Sequence, residues 1–318
     1  MNRTGELLTT TLLALLMVLL ASGCGANPAQ GADGQEPAPV SPRETEAARV
    51  SYLGPAGTYT EEAAQFFFPA AGSLLPEETV EEAVANVAEG DADYAVIPQE
   101  NTLGGAVTNY VDALIAEEDL YVVGEVILPI NQTLMGVPGA SLDDVRVVCS
   151  HAQGLTQSAR WRQEHLPEAD TQEMPSTAAA ASYVAETGDK TIAAVAAPGA
   201  ARLYGLSVLA ENVQITDANK TRFYVLSAAR AEEETRDRAV FVADCEANRI
   251  DDIIAAIHDA GLELVTIHDR PEGSRLGAYH YIVEVEEEDG ITEERLREIT
   301  SIPEVRCLGS FHAVEKGN

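Results

Sequence analysis

Four short segments hold most of the side chains that could do chemistry. They are Gly54-Pro55-Ala56-Gly57-Thr58-Tyr59-Thr60, Pro98-Gln99-Glu100-Asn101-Thr102-Leu103-Gly104-Gly105, Ser150-His151-Ala152-Gln153 and Thr221-Arg222-Phe223. Nearly all their polar groups are neutral, so the chemistry they suit is the binding and orientation of a small anion. Asn101 with Thr102, and Ser150 with Gln153, fall where a strand runs out and a helix begins. Amides, hydroxyls and exposed N–H groups at such a place either bind an anion or simply cap the helix. Arg222 can grip a carboxylate in a charge-assisted, bidentate pair, although a structural ion pair is the competing use in so acidic a chain. Gly54 and Gly57, with Thr58, let a ligand approach the backbone closely, or serve the turn alone. No Gly-x-Ser-x-Gly elbow, phosphate loop or dinucleotide fingerprint is present, which argues against hydrolase, kinase and dehydrogenase chemistry. The histidines show no metal-ligand spacing.

To bring these segments together the chain needs strands that end in turns and helices that start there. Residues 50–53 read as a strand running into the Gly54 turn, and from Glu61 a helix carries Ala63, Ala64, Phe67 and Phe68 on one face. Helix 80–88, strand 94–97, a polar turn over 98–105, helix 107–115 and strand 120–126 follow, which predicts a parallel, helix-covered sheet. A second α/β unit is predicted from strands 132–137, 145–149 and 191–195 and helices 155–164 and 176–186. Two such units joined by crossing strands leave a cleft between them. Residues 230–238 are charged, lack an apolar face and read as a linker. Strand 239–243, helix 250–260, strands 262–268 and 279–286, helix 293–299 and strand 305–311 then spell βαββαβ, a ferredoxin-like sandwich.

With 52 acidic and 20 basic residues the formal charge is −32, which repels nucleic acid and anionic headgroups from the folded part. Residues 12–21 are nearly all apolar and too short for a spanning helix of about 20 residues, so residues 1–23 read as a signal peptide. Leu20-Ala21-Ser22-Gly23-Cys24 resembles a lipobox, predicting a lipidated Cys24 that anchors the chain to the outer face of the cytoplasmic membrane; a plain secretory signal is the alternative. A tether over 24–47 follows, rich in Gly, Ala, Pro and Gln. Cys149, Cys245 and Cys307 imply no disulfide framework, and leave a Cys245–Cys307 pair open.

In order, and over nearly the whole stretch from Val50 to Phe311, the four segments resemble the prephenate dehydratase family, with Ala200-Ala201-Arg202-Leu203-Tyr204-Gly205-Leu206 at its family place. The resemblance implies a periplasmic-binding-protein-like catalytic domain of two α/β lobes over 48–229, followed by an ACT-like domain over 239–316. It implies loss of carbon dioxide and the ring hydroxyl from prephenate, giving phenylpyruvate in phenylalanine biosynthesis, with no metal or organic cofactor. Thr221 is the residue it points to as catalytic. Because a free threonine is a poor acid, its role would be oriented hydrogen-bond donation to the departing hydroxyl in a dry site. Gly54, Gly57, Thr58, Asn101, Thr102, Ser150, Gln153, Arg222 and Phe223 match substrate-binding positions, with Glu100 and His151 in support.

His268-Asp269-Arg270-Pro271 falls where the family has Glu-Ser-Arg-Pro, marking a candidate effector site for phenylalanine. Two departures weaken that part: the family's Gly-Ala-Leu loop is replaced by Glu246-Ala247-Asn248-Arg249-Ile250, and Glu-Ser by His-Asp. The family also implies a homodimer or homotetramer. Two other functions stay open: dehydration of arogenate, and solute binding by an exported lipoprotein, since a two-lobed cleft alone does not decide function.

Overall fold

The structure, a computed structural model, describes residues 40–117, 119–232 and 236–317. The expected signal peptide, Cys24 and most of the expected tether lie outside the described residues. Residues 40–47 of that tether belong to the folded body: Val40 bridges Ala231, and the Thr45 and Tyr94 hydroxyls are hydrogen-bonded at 2.8 Å.

The first lobe is built from β1 (Arg49–Leu53), α1 (Tyr59–Phe67), β2 (Ser73–Glu77), α2 (Val80–Ala88), β3 (Tyr94–Asn101), β4 (Gly105–Ala106), α3 (Thr108–Ala116) and β5 (Tyr121–Pro129). The chain then crosses to the second lobe, β6 (Thr133–Gly136), β7 (Val147–Ser150), α4 (Ala152–Gln157), α5 (Ala159–His165), β8 (Asp170–Glu173), α6 (Thr177–Thr187), β9 (Ile192–Ala196), α7 (Pro198–Leu203) and β10 (Ser207–Ala210), and returns as β11 (Lys220–Ser227). Strands β2, β1 and β3 are parallel as expected, but β11 runs antiparallel between β3 and β5. The return strand thereby closes the hydrogen-bond ladders of both neighbours, and it brings Thr221 to the centre of the sheet. The single helix expected over 155–164 is two, α4 and α5. The break falls at Ser158, whose hydroxyl donates to the Gly154 carbonyl at 2.7 Å and accepts from Arg162 Nε at 3.1 Å.

The C-terminal module has the expected order: β12 (Arg238–Glu246), α8 (Ile250–Asp259), β13 (Glu263–Pro271), β14 (Ala278–Glu286), α9 (Glu293–Thr300) and β15 (Val305–Phe311). One face of its sheet buries Phe241 and Val283 under Ile253, Ile257 and Ile299 of the helices. The opposite face packs Val242, Ile282 and Leu308 against Val84, Val111 and Leu114 of α2 and α3. A Cβ on Gly309 would lie 2.0 Å from the Val122 carbonyl, so glycine is what lets β15 approach β5 so closely. A last strand, β16 (Ala313–Glu315), adds parallel to β5 at the edge of the first-lobe sheet. At three residues it is too short to show a period, and no local signal marks it. Cys149, Cys245 and Cys307 are all free, so the Cys245–Cys307 pair does not form.

Candidate active site

Between the lobes lies a cleft of about 310 Å³, at the small end of the roughly 300–1,000 Å³ range of small-molecule sites. Three helices begin at its wall. Thr58, Tyr59 and Thr60 open α1, Ser176 and Thr177 open α6, and His151 and Gln153 open α4, all of them lining the cleft. The caps hold each start in place: Thr58 Oγ1 accepts from Glu61 N at 3.4 Å, Ser176 Oγ from Ala179 N at 3.0 Å and His151 Nδ1 from Gln153 N at 3.3 Å. Leu53, Pro98, Val107, Ile130 and Phe223 supply apolar wall. Among the described residues no Asp, Glu, Lys or Arg lines the cleft, so the positive ends of the helices are what it offers an anion.

Thr221 sits at the cleft, 9% exposed, with its hydroxyl orientation set by Asn101. Asn101 Oδ1 accepts from Leu103 N at 3.0 Å and Gly104 N at 2.9 Å, which fixes which end of the amide is oxygen. Its Nδ2 then donates to Thr221 Oγ1 at 2.8 Å and to Asn219 Oδ1 at 2.9 Å. With an acceptor site of the hydroxyl thus occupied, its one proton is available to donate elsewhere. Gln153 reaches across from the second lobe, its Nε2 donating to Asn101 Oδ1 at 3.5 Å.

Of the residues expected at the site, Gly54, Thr58, Asn101, His151, Gln153, Thr221 and Phe223 line the cleft. Gly57 lies on the far side of the same turn, in a second hollow of about 540 Å³ beside Arg202 and Leu203. Ser150 is fully buried and its hydroxyl donates to the Val195 carbonyl at 2.6 Å, so it stitches β7 to β9 instead of facing a ligand. Thr102 ties its loop to β11, donating to the Lys220 carbonyl at 3.1 Å and accepting from Lys220 N at 3.2 Å. Sequence reasoning passed over Ile130, Gln132, Gln157, Ser176 and Thr177 as ligand contacts. Ser176 was legible as the start of a helix, but nothing in one sequence aims that helix at the cleft.

Arg222 requires the largest correction. Side chains alternate along a strand, so with Thr221 and Phe223 facing the cleft Arg222 points to the other side of the sheet. There Nε donates to Glu125, Nη2 to Glu284 of the C-terminal module, and Nη1 lies 3.5 Å from Glu100. It is therefore not placed to grip a substrate carboxylate, and Glu100 faces it instead of the cleft. Burial, then the charge of Glu284, push the Glu125 carboxyl up to about 7 despite the opposing Arg222. Burial works against the Arg222 cation too, but Glu284 and Glu125 outweigh it and hold the guanidinium protonated.

The expected effector segment is engaged with the first lobe. His268 Nδ1 is hydrogen-bonded to the Tyr110 hydroxyl, and Arg270 forms a bidentate pair with Asp112 of α3 at 2.5 and 2.7 Å. Asp269 and Pro271 sit on β13 opposite Tyr281 and Tyr279. Burial lowers the His268 pKa.

The family model for prephenate dehydratase matches residues 50–231. A prephenate dehydratase of Amycolatopsis methanolica is 33% identical over 274 residues, covering 83% of this chain and 88% of that one. The solved prephenate dehydratase of Arthrobacter aurescens in complex with L-Phe superposes with a TM-score of 0.74 at 31% identity, covering 83% of this chain and 89% of that one. A structure described as GqqA, a novel type of quorum quenching acylase, also reaches 0.74, at 27% identity and with 84% and 98% coverage. On this match, and with a neutral, helix-ended cleft built around Asn101 and Thr221, the chain belongs to the prephenate dehydratase family, carbon–oxygen lyases that convert prephenate to phenylpyruvate, carbon dioxide and water in phenylalanine biosynthesis.

Proposed function

We propose that in this chain the dehydration is driven by placement, with Thr221 as the donor to the departing hydroxyl. The observation that carries this is the bond from Asn101 Nδ2 to Thr221 Oγ1 at 2.8 Å, which leaves the hydroxyl proton free to point at the ligand. As the bond from ring to carboxylate breaks, its electron pair moves through the ring and the carbon–oxygen bond opposite opens. Carbon dioxide and a hydroxide leave, and the hydroxide takes its proton from solvent to become water. Thr221 stabilises the charge developing on that oxygen without giving up its proton, which is the work of a preorganised donor. The helix starts at Thr58 and Ser176 suit the substrate's carboxylates. Prephenate is favoured over arogenate because, among the described residues, no carboxylate lines the cleft to receive an added ammonium. Acyl transfer gains no support: it needs a nucleophile beside a base, and among the described residues the side-chain partner of Thr221 Oγ1 is the Asn101 amide. Turnover of prephenate and arogenate by the purified chain tests the reading. At least a hundredfold preference for prephenate is expected, and equal use of both would refute it.

The reading extends to the rest of the chain. Phenylalanine is the proposed effector, supported by the L-Phe complex of the Arthrobacter relative. A site near His268 and Arg270 would act through their contacts with Tyr110 and Asp112. The lipobox-like run before Cys24 supports anchoring at the outer face of the cytoplasmic membrane, and Cys24→Ala should release the chain from membranes. Assembly as a dimer or tetramer is proposed from the family alone, and sedimentation tests it.

A further inference from the structure

Thr221 is aimed by an irregularity in the sheet, and the C-terminal module holds that irregularity. Along β11 and β3, Arg222 faces Glu100 but Phe223 faces Pro98, so Gln99 is an extra residue on β3. Such a bulge turns the side chains beside it; the register pair next to it is Arg222 and Glu100, and the one after that is Thr221 and Asn101. The fully buried Gln99 side chain donates from Nε2 to the Tyr224 hydroxyl at 3.0 Å and to Glu284 Oε2 at 3.1 Å. Glu284, on β14 and also fully buried, further accepts from the Tyr224 hydroxyl at 2.5 Å and from Arg222 Nη2. One carboxylate from the C-terminal module thus binds both strands of the bulge. The other neighbour of Thr221, Lys220, is paired with Glu315 on β16, so both sides of the catalytic position are held by residues that follow it by more than sixty positions.

We propose that Glu284 is a positioning residue for the dehydration: it fixes the Gln99 bulge and Arg222, and through them the Asn101–Thr221 pair. Burying a charged carboxylate is costly unless it is paired and hydrogen-bonded, which fits a group kept for the geometry it imposes. The inference rests on Thr221 acting in the cleft, and through this contact the C-terminal module takes part in catalysis without touching substrate.

Two variants test it. In Glu284→Gln the shape is kept and the charge removed; kcat for prephenate should fall at least tenfold while KM stays within about threefold. Gln99→Met removes the bonds at the bulge from a residue whose Oε1 has no hydrogen-bond partner among the described residues, so the fold loses little. Its unfolding midpoint should stay near the wild-type value while kcat falls at least threefold. A role in stability alone would lower the folded fraction and leave kcat per folded molecule unchanged, and that result in either variant overturns the proposal. Should Glu284→Gln not fold, Gln99→Met decides by itself. Loss of turnover already in the wild-type chain would count against the proposed function, whereas normal wild-type turnover with unaltered variants counts against this inference only.

Discussion

Replacing Thr221 with valine keeps the shape of the side chain and removes its one polar atom. Two costs follow, and they fall on different measurements. In the folded state Asn101 Nδ2 loses its 2.8 Å bond to Thr221 but keeps Asn219 Oδ1 at 2.9 Å, so no buried donor is orphaned and stability should drop by about 0.5–1.5 kcal/mol. In the transition state the departing oxygen loses a preorganised donor, a change worth about 10²–10³ in kcat. Because the donor acts where charge develops, KM should move little. The assay is phenylpyruvate formation, with a urea titration to establish the folded fraction. Thr221→Ser, which keeps the hydroxyl but frees it to rotate, should fall between the two. A folded valine variant with more than about a third of wild-type kcat would refute the role assigned to Thr221.

Arg222→Met should be far more damaging to the fold than to substrate affinity, since it leaves Glu125 buried without its cation and Glu284 with only Arg238 Nη1 at 3.4 Å. A loss of about 3–5 kcal/mol in urea unfolding is expected, whereas an Arg that gripped substrate would show a raised KM with normal stability. Gly154→Ala places a Cβ 2.3 Å from Ser150 Oγ, so α4 must shift from β7 and carry Gln153 off the cleft; KM should rise with kcat less affected. Glu125 gives a pH signature. Its pKa is raised from 4.5 to about 7 on folding, so the stability it contributes is fully present below pH 4.5 and is lost as pH rises through 7. The change is up to about 3 kcal/mol, and in Glu125→Gln this part of the slope of unfolding free energy against pH should vanish.

Much of the fold was readable because its signals are local. The Ala63, Ala64 and Phe67 face of α1 and the Gly54 turn each declare themselves within a few residues. So was the family, because its motifs stand in order. What escaped was set by distant partners. The antiparallel insertion of β11, the edge strand β16 and the packing of β12 to β15 on α2 and α3 depend on where the chain returns, which no local period encodes. At the cleft, Asn101 and Gln153 stood out by type and by their place between strand and helix, whereas Thr221 was singled out by the family resemblance. Arg222 and Ser150 were assigned to the ligand because a motif lists neighbours, while a strand sends adjacent side chains to opposite faces. The partners of Arg222 lie 97 and 62 residues away at Glu125 and Glu284, so the carboxylates around it could be seen only in three dimensions.

The most direct measurement is product formation by the purified chain given prephenate in the presence of a metal chelator and no added cofactor. A cleft that works by placement predicts phenylpyruvate and carbon dioxide in equal amounts over many turnovers, with Thr221→Val binding prephenate as the wild type does but releasing little product. Tight binding of prephenate by the wild-type chain with no phenylpyruvate formed would contradict the account, and would make the cleft a receptor for its ligand.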